Sequence, residues 1–278
     1  MKNKCYAIDK LLSEHWFTTE KEAAAWIMER KVLANDTAVL TPRQIIPTDA
    51  VIRVKESYKR KYVNKGGLKL EGAIRDFGIS VADRVTLDCG ASTGGFTDCL
   101  LQFGAKRVYA VDAGFGQLDW KLISDPKVIN MEKTNLGDQA LLNLDPRPEI
   151  ITLDLSYLSL KKALPICRGI LGDKGLAICL VKPIFEVESS EIRRTGKIND
   201  HEILKDILID LCGYFIKMEV NVGGVTNSPV TGNSGTLEFF VSVHWGIDGL
   251  RNCNSDYGEE IEKALTRSSA LNVFNKNS

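Results

Sequence analysis

The sequence predicts a chain in two parts, a large α/β unit on a doubly wound, mostly parallel sheet and a small α+β unit ahead of it. Three observations predict this. From Val85 onward, short apolar runs alternate with helical stretches, the pattern of strands joined by crossover helices. Before residue 52, apolar residues recur at helical spacing and then give way to short strand-like runs. Between the two, Ile52 to Lys69 holds seven bases (Arg53, Lys55, Lys59, Arg60, Lys61, Lys65 and Lys69) and one acid (Glu56), a local charge of +6. The 278-residue chain has 36 Lys and Arg against 36 Asp and Glu, so the other 260 residues carry −6.

In the small unit, residues 1–58, Ile8, Leu11 and Leu12 predict one helix and Ala23 to Ile27 a second. Thr18 or Thr19 caps the second, and Glu22 completes a capping box with Thr19. Lys31 to Leu40, turning at Asn35-Asp36, and Ala50 to Val54 read as short strands. So small a unit suits binding better than chemistry. It resembles the S4 RNA-binding fold, a helix-turn-helix followed by a small sheet. Members usually carry arginines where this chain has Ala7-Ile8-Asp9 and Thr19-Glu20, so the resemblance leaves RNA contact to Lys10, Lys21, Arg30 and Lys31. Residues 59–65 read as a basic linker whose Lys59, Arg60, Lys61 and Lys65 add to that surface.

In the large unit, residues 66–247, the predicted strands are Val85 to Leu87, Val108 to Val111, Val128 to Asn130, Ile150 to Leu153, Leu176 to Val181, Met218 to Val222 and Leu237 to Val243. Helices are expected over Gly94 to Phe103, Leu160 to Ile170 and His201 to Ile216. Residues 248–278 read as a polar tail, with a terminal helix at Glu259 to Thr266. At 44% hydrophobic residues the chain is too apolar for wholesale disorder. Its neutrality argues against coating nucleic acid over the whole surface. No apolar stretch follows Met1-Lys2-Asn3-Lys4, and no apolar run approaches the roughly 18 residues of a spanning helix. Seven cysteines without a CxxC pair read as reduced core thiols rather than a disulfide or zinc framework. The expectation is a cytoplasmic protein without metal or membrane partner.

The chemistry concentrates where strands end. Asp88-Cys89-Gly90-Ala91-Ser92-Thr93-Gly94-Gly95-Phe96 runs off the first strand into a helix, a glycine turn under which a ligand can pass close to backbone. Its spacing is neither GxGxxG nor a P-loop. Asp112 lies 22 residues beyond Gly90, at the end of the next strand, where a carboxylate accepts the ribose hydroxyls of an adenosyl ligand. A glycine turn with an acid at each strand end suits S-adenosylmethionine, whose sulfonium and ammonium are cationic. Gly116 and, for the adenine edge, Asn135 complete the expected cofactor contacts.

Four more residues fall near the same sheet edge: Asp154 after the fourth strand, Lys182 after the fifth, Glu238 within the apolar run Leu237 to Phe240, and Lys69 in the basic stretch. A lysine near a methyl donor removes the proton of a hydroxyl when its surroundings favour the neutral amine, as a second cation and partial burial do.

These residues carry a second resemblance. The glycine turn, Val111-Asp112-Ala113-Gly114 with Gly116-Gln117-Leu118, Asp154-Leu155-Ser156, Lys182-Pro183-Ile184-Phe185-Glu186 and Ser228-Pro229 ahead of Glu238 are similar to the TlyA (hemolysin A-like) group. Its members join an S4 domain to an FtsJ/RrmJ-type ribose methyltransferase and methylate cytidine 2′-hydroxyls of ribosomal RNA. The resemblance implies a Rossmann-like class I S-adenosylmethionine-dependent methyltransferase fold and ribosomal RNA or ribosomal subunits as partner. It also implies a catalytic tetrad of Lys69, Asp154, Lys182 and Glu238, with Lys182 as base and Asp154 also at the cofactor. The group's short interdomain element matches Arg60-Lys61-Tyr62-Val63. An RNA-binding assembly factor without chemistry and a membrane-active haemolysin are the competing expectations. The complete tetrad opposes the first, and the lack of a signal or spanning pattern opposes the second.

Overall fold

The structure, a computed structural model, describes residues 4–14, 16–17, 19–54, 61–187, 198, 200–232 and 235–271. It divides into two compact units, Met1–Asn64 and Lys65–Ser278.

The first unit runs β1 (Lys4–Tyr6), α1 (Ala7–Ser13), α2 (Glu20–Met28), β2 (Val32–Ala34), β3 (Thr37–Ala38), β4 (Ile45–Pro47) and β5 (Ile52–Val54). Thr19 caps α2: its hydroxyl accepts the Glu22 amide at 3.2 Å. Thr18 lies outside the described residues. Asn35 and Asp36 both take positive φ, 49° and 62°, which reverses the chain between β2 and β3. The order β3-β2-β5 is antiparallel, and β1 pairs separately with β4. That second pair escapes sequence reading because each strand spans three residues. Leu11, Phe17, Ile27 and Val32 close a small core, with Trp16 and Trp26 half-buried against it.

The second unit runs α3 (Gly66–Phe77), β6 (Val85–Cys89), α4 (Gly95–Gln102), β7 (Arg107–Asp112), α5 (Trp120–Ile123), β8 (Val128–Glu132), β9 (Ile150–Leu153), α6 (Leu160–Leu171), β10 (Gly175–Val181), α7 (Pro183–Glu186), α8 (His201–Lys217), β11 (Asn221–Asn227), β12 (Phe239–Trp245) and α9 (Tyr257–Leu271). The seven-stranded sheet has the order β11-β12-β10-β9-β6-β7-β8. It is parallel from β8 through β10, while β12 runs antiparallel to both its neighbours. Strand order reverses between β6 and β9, so the ligand crevice of this topology lies beyond their C-terminal ends. β10 and β12 are buried at every residue, as strands covered on both faces should be.

Four expectations shift. The strand expected at Met218 to Val222 is β11, starting at Asn221; Met218 ends α8. Glu238 precedes β12 instead of lying inside a strand. Lys69 stands in α3, a helix that begins on two glycines and continues through Leu70, Ala73 and Ile74 into the core. Within the expected polar tail, α9 packs Ile261, Ala264 and Leu265 into the main core, because these residues share one helical face.

Candidate active site

Gly90 follows β6 with φ +87°, and a Cβ there would stand 2.3 Å from the carbonyl oxygen of Asp154. Only glycine lets the two strand ends close on each other, which the Asp154 amide does by donating to the Cys89 carbonyl at 3.0 Å. Gly94, at φ +99°, caps α4, and its missing Cβ admits Leu122. Ser92 and Thr93 are exposed along the turn, and Gly95 opens α4.

Asp112, ending β7, clamps the turn from the side. Its Oδ2 accepts the Ser92 amide at 2.8 Å and its Oδ1 the Gly114 amide at 2.7 Å. The loop that follows is held by Glu132, which accepts the amides of Gly116 at 2.9 Å and Gln117 at 3.2 Å. The Gly116 amide, then Gln117, hold this half-buried carboxyl below its usual range. Asn135 is exposed, its amide donating to Asp138 at 2.6 Å.

Asp88 and Phe96 lie behind the turn. Asp88 is 0% exposed and accepts the hydroxyls of Thr97 at 2.7 Å and Thr152 at 2.9 Å. It therefore ties β6 to α4 and β9 instead of lining the crevice. Burial drives its pKa up to about 7 against these two hydrogen bonds, and Asp154 adds to the rise. Phe96 is buried with its ring 6.1 Å from that of Phe240, which makes it core.

Sheet register brings three of the four expected residues together. Phe239 pairs with Val181 and Cys179 with Leu153, so Glu238, Lys182 and Asp154 occupy the ends of three successive strands. The Lys182 ammonium stands 2.6 Å from Asp154 Oδ1 and donates to Ser156 Oγ at 2.8 Å. Asp154 Oδ1 is sealed from solvent and accepts no hydrogen bond, so the approach of Lys182 is a charge contact. Lys69 donates to Glu238 in an ion pair whose side chains are each 6% exposed. Lys65, one helical turn before Lys69, senses Lys69, Glu238 and Asp154 together. Burial first, then Lys69, lowers its pKa while the two acids oppose. Glu238 and Lys182 stand next to the paired residues Phe239 and Val181, which sets the two ion pairs at adjacent strand ends.

Ser156 and Glu186 are not among the expected site residues, although both lie in motifs that the sequence singles out and both contact the site's elements. Ser156 holds Lys182, and Glu186 is buried one turn beyond it. Among the expected RNA contacts, Lys10 is spent inside its own unit: it is buried, donates to the Thr48 carbonyl at 2.6 Å and pairs with Glu14 at 2.6 Å. Lys31 pairs with Glu29 and lies 4.9 Å from the centroid of the Trp26 ring. Lys21, Arg30 and Lys61 are exposed; Lys59 and Arg60 lie outside the described residues.

Residues 62–245 match the family described as FtsJ-like methyltransferase. The chain belongs to this family. Among FtsJ-like relatives, the candidate rRNA methyltransferase YqxC of Bacillus subtilis is 38% identical over 90% of this chain and 89% of its own length. The 16S/23S rRNA (cytidine-2′-O)-methyltransferase TlyA of Mycobacterium tuberculosis is 34% identical over 83% of this chain and 86% of its own. A solved structure of a candidate hemolysin from Streptococcus thermophilus is 32% identical, with a TM-score of 0.73 and full coverage of both chains. No helix among the described residues is long and apolar enough to cross a membrane.

Proposed function

We propose that this chain transfers a methyl group from S-adenosylmethionine to a ribose 2′-hydroxyl of ribosomal RNA, with cytidine as the nucleoside. The observation that carries the reading is Lys182 held between Asp154 and Ser156, beside the buried Lys69–Glu238 pair, at the crevice of a family that transfers methyl groups. The names of the two rRNA-modifying relatives support the substrate.

The residues fit the cofactor. Gly90 and Gly94 let the turn close against the Asp154 carbonyl and against Leu122, which sets its shape at the strand ends. Asp112 offers a carboxylate fixed by two amides to a ribose diol, and Asp154, at a neighbouring strand end, adds negative charge that suits a cationic ligand. Ser92, Thr93, Gly95, Gly116 and Asn135 line the rest, with Asp88 supporting from behind. When bound, S-adenosylmethionine supplies an electrophilic methyl group on a cationic sulfur.

Lys182 Nζ, as the neutral amine, would take the proton of the ribose hydroxyl while that oxygen bonds in line to the methyl carbon and displaces the neutral thioether sulfur. Asp154 and Ser156 occupy two directions around Nζ and leave the third for the hydroxyl. The Lys69–Glu238 pair fixes α3 against the end of β12 and sets the local field. The small unit acts as an S4-like RNA module, with Lys21, Arg30 and the linker bases Lys59, Arg60, Lys61 and Lys65 meeting phosphates.

The test is labelled methyl transfer to naked rRNA, separated subunits and whole ribosomes lacking the modification, followed by digestion to nucleosides. Label in 2′-O-methylcytidine is expected. Label on a base, or on no substrate, overturns the reading.

A further inference from the structure

We propose that Glu186 is a positioning residue for the reaction, its carboxylate pinning the loop of residues 154–159 so that Asp154 and Ser156 meet Lys182 in register. The inference rests on the reading of Lys182 as base and adds a residue to which that reading gives no part.

Glu186 ends the motif that Lys182 opens, and it is 8% exposed. Both its oxygens are spent on the loop from the neighbouring strand: Ser159 Oγ donates to Oε2 at 2.7 Å and the Leu160 amide to Oε1 at 2.8 Å. On its own side, Lys182 and Glu186 span one rigid turn, in which the Phe185 amide donates to the Lys182 carbonyl at 2.9 Å and the Val187 amide to the Pro183 carbonyl at 3.0 Å. The loop is held at its other end where the Asp154 amide meets the Cys89 carbonyl. The turn carrying the base and the loop carrying its partners are thus joined twice, in front through Lys182 and behind through Glu186.

Glu186 shares the N-terminal cap of α6 with Ser159, since the Leu160 amide it accepts is one of that helix's first-turn donors, and it thereby ties the cap to the turn that carries Lys182. Ser159 caps α6 with its hydroxyl, which accepts the Lys161 amide at 3.2 Å while donating to Glu186. Burial pushes the Glu186 carboxyl above its usual range, against the pull of the Leu160 amide and Ser159. Lys161 and Asp210, whose charges act on it in opposite directions, pair with each other. A costly buried carboxylate is kept where a second hydrogen-bonded brace is the gain.

The test uses the full chain with Glu186→Ala, Glu186→Gln and Ser159→Ala. It measures kcat and KM for methyl transfer to rRNA, S-adenosylmethionine affinity by calorimetry, and the pH profile of kcat. For Glu186→Ala, kcat should fall about 10- to 100-fold, cofactor affinity should fall by less through the shift of Asp154, and the KM for rRNA should stay within about twofold of wild type. The pH of half-maximal kcat should move with it. Glu186→Gln, which can still accept the Leu160 amide, should recover most of the rate, and Ser159→Ala should fall between. A folded Glu186→Ala enzyme with wild-type kcat and pH profile would overturn the proposal, as would equal losses in kcat, KM and cofactor affinity. If Glu186→Ala does not fold, an unchanged kcat in Ser159→Ala overturns it. Lys182→Ala runs alongside: activity there sinks the base assignment and this proposal with it, whereas an inactive Lys182→Ala beside a wild-type Glu186→Ala sinks the positioning role alone.

Discussion

Replacing Asp88 by Asn should change how the stability of the second unit depends on pH. The carboxyl is fully buried, and its pKa rises from the ordinary 3.8 to about 7. Between those values the folded protein keeps a proton that the unfolded chain has released. The stability this group contributes is therefore fully present below pH 3.8 and declines as pH rises through 7. Roughly 3 pH units at about 1.4 kcal/mol each make about 4 kcal/mol in total. About 3 kcal/mol of this falls between pH 5 and 8, equivalent to roughly 6–12 °C in Tm for a domain of this size. Asn carries no charge and can still hydrogen-bond Thr97 and Thr152, so its Tm should decline less steeply over the same range. A residual slope is expected from Glu186, another buried carboxyl whose pKa burial raises. Calorimetry of the full chain at pH 5, 6, 7 and 8 reads both curves. Parallel curves for wild type and Asp88→Asn would refute the reasoning.

Four other predictions concern the site and the RNA surface. Glu238→Ala leaves the Lys69 ammonium buried without its partner and should cost about 3–5 kcal/mol in urea unfolding. The pair Lys69→Met with Glu238→Leu should regain most of that stability while methyl transfer stays lost, and an undisturbed single variant would speak against the buried pair. Gly90→Ala puts a methyl group onto the Asp154 carbonyl at a positive φ, so calorimetry should detect no S-adenosylmethionine binding; wild-type affinity would mean the turn does not hold the cofactor. Charge reversal at Lys59, Arg60 and Lys61 should weaken rRNA binding and flatten its salt dependence. Lys10→Met should leave the salt slope unchanged and destabilise the first unit, and a flattened slope there would return Lys10 to the RNA surface.

Much of the site is legible because it sits at strand ends. β/α alternation places Gly90, Asp112, Asp154 and Lys182 on one edge, and the register delivers them there. What escapes is whether a charge is free. Asp88 and Lys10 look available in the sequence, yet their partners Thr152 and Thr48 lie 64 and 38 residues away and appear only on folding. The same applies to the polarised charge of residues 52–69, since Arg53 pairs with Asp36 and Lys69 with Glu238. β11 is blurred by Gly223 and Gly224 and by a break in its register with β12. The terminal helix is expected, but its packing into the core escapes because its buried face is partly small and polar, Ala264 and Ser268 beside Ile261 and Leu265. Glycines at the start of α3 disguise a helix as linker.

The most direct test of the account is single-turnover methyl transfer to rRNA by Lys182→Ala, with S-adenosylmethionine affinity measured on the same sample. Loss of a positioned base should slow transfer about 10²- to 10⁴-fold while cofactor affinity holds. A rate near wild type in a variant that binds cofactor normally would contradict it.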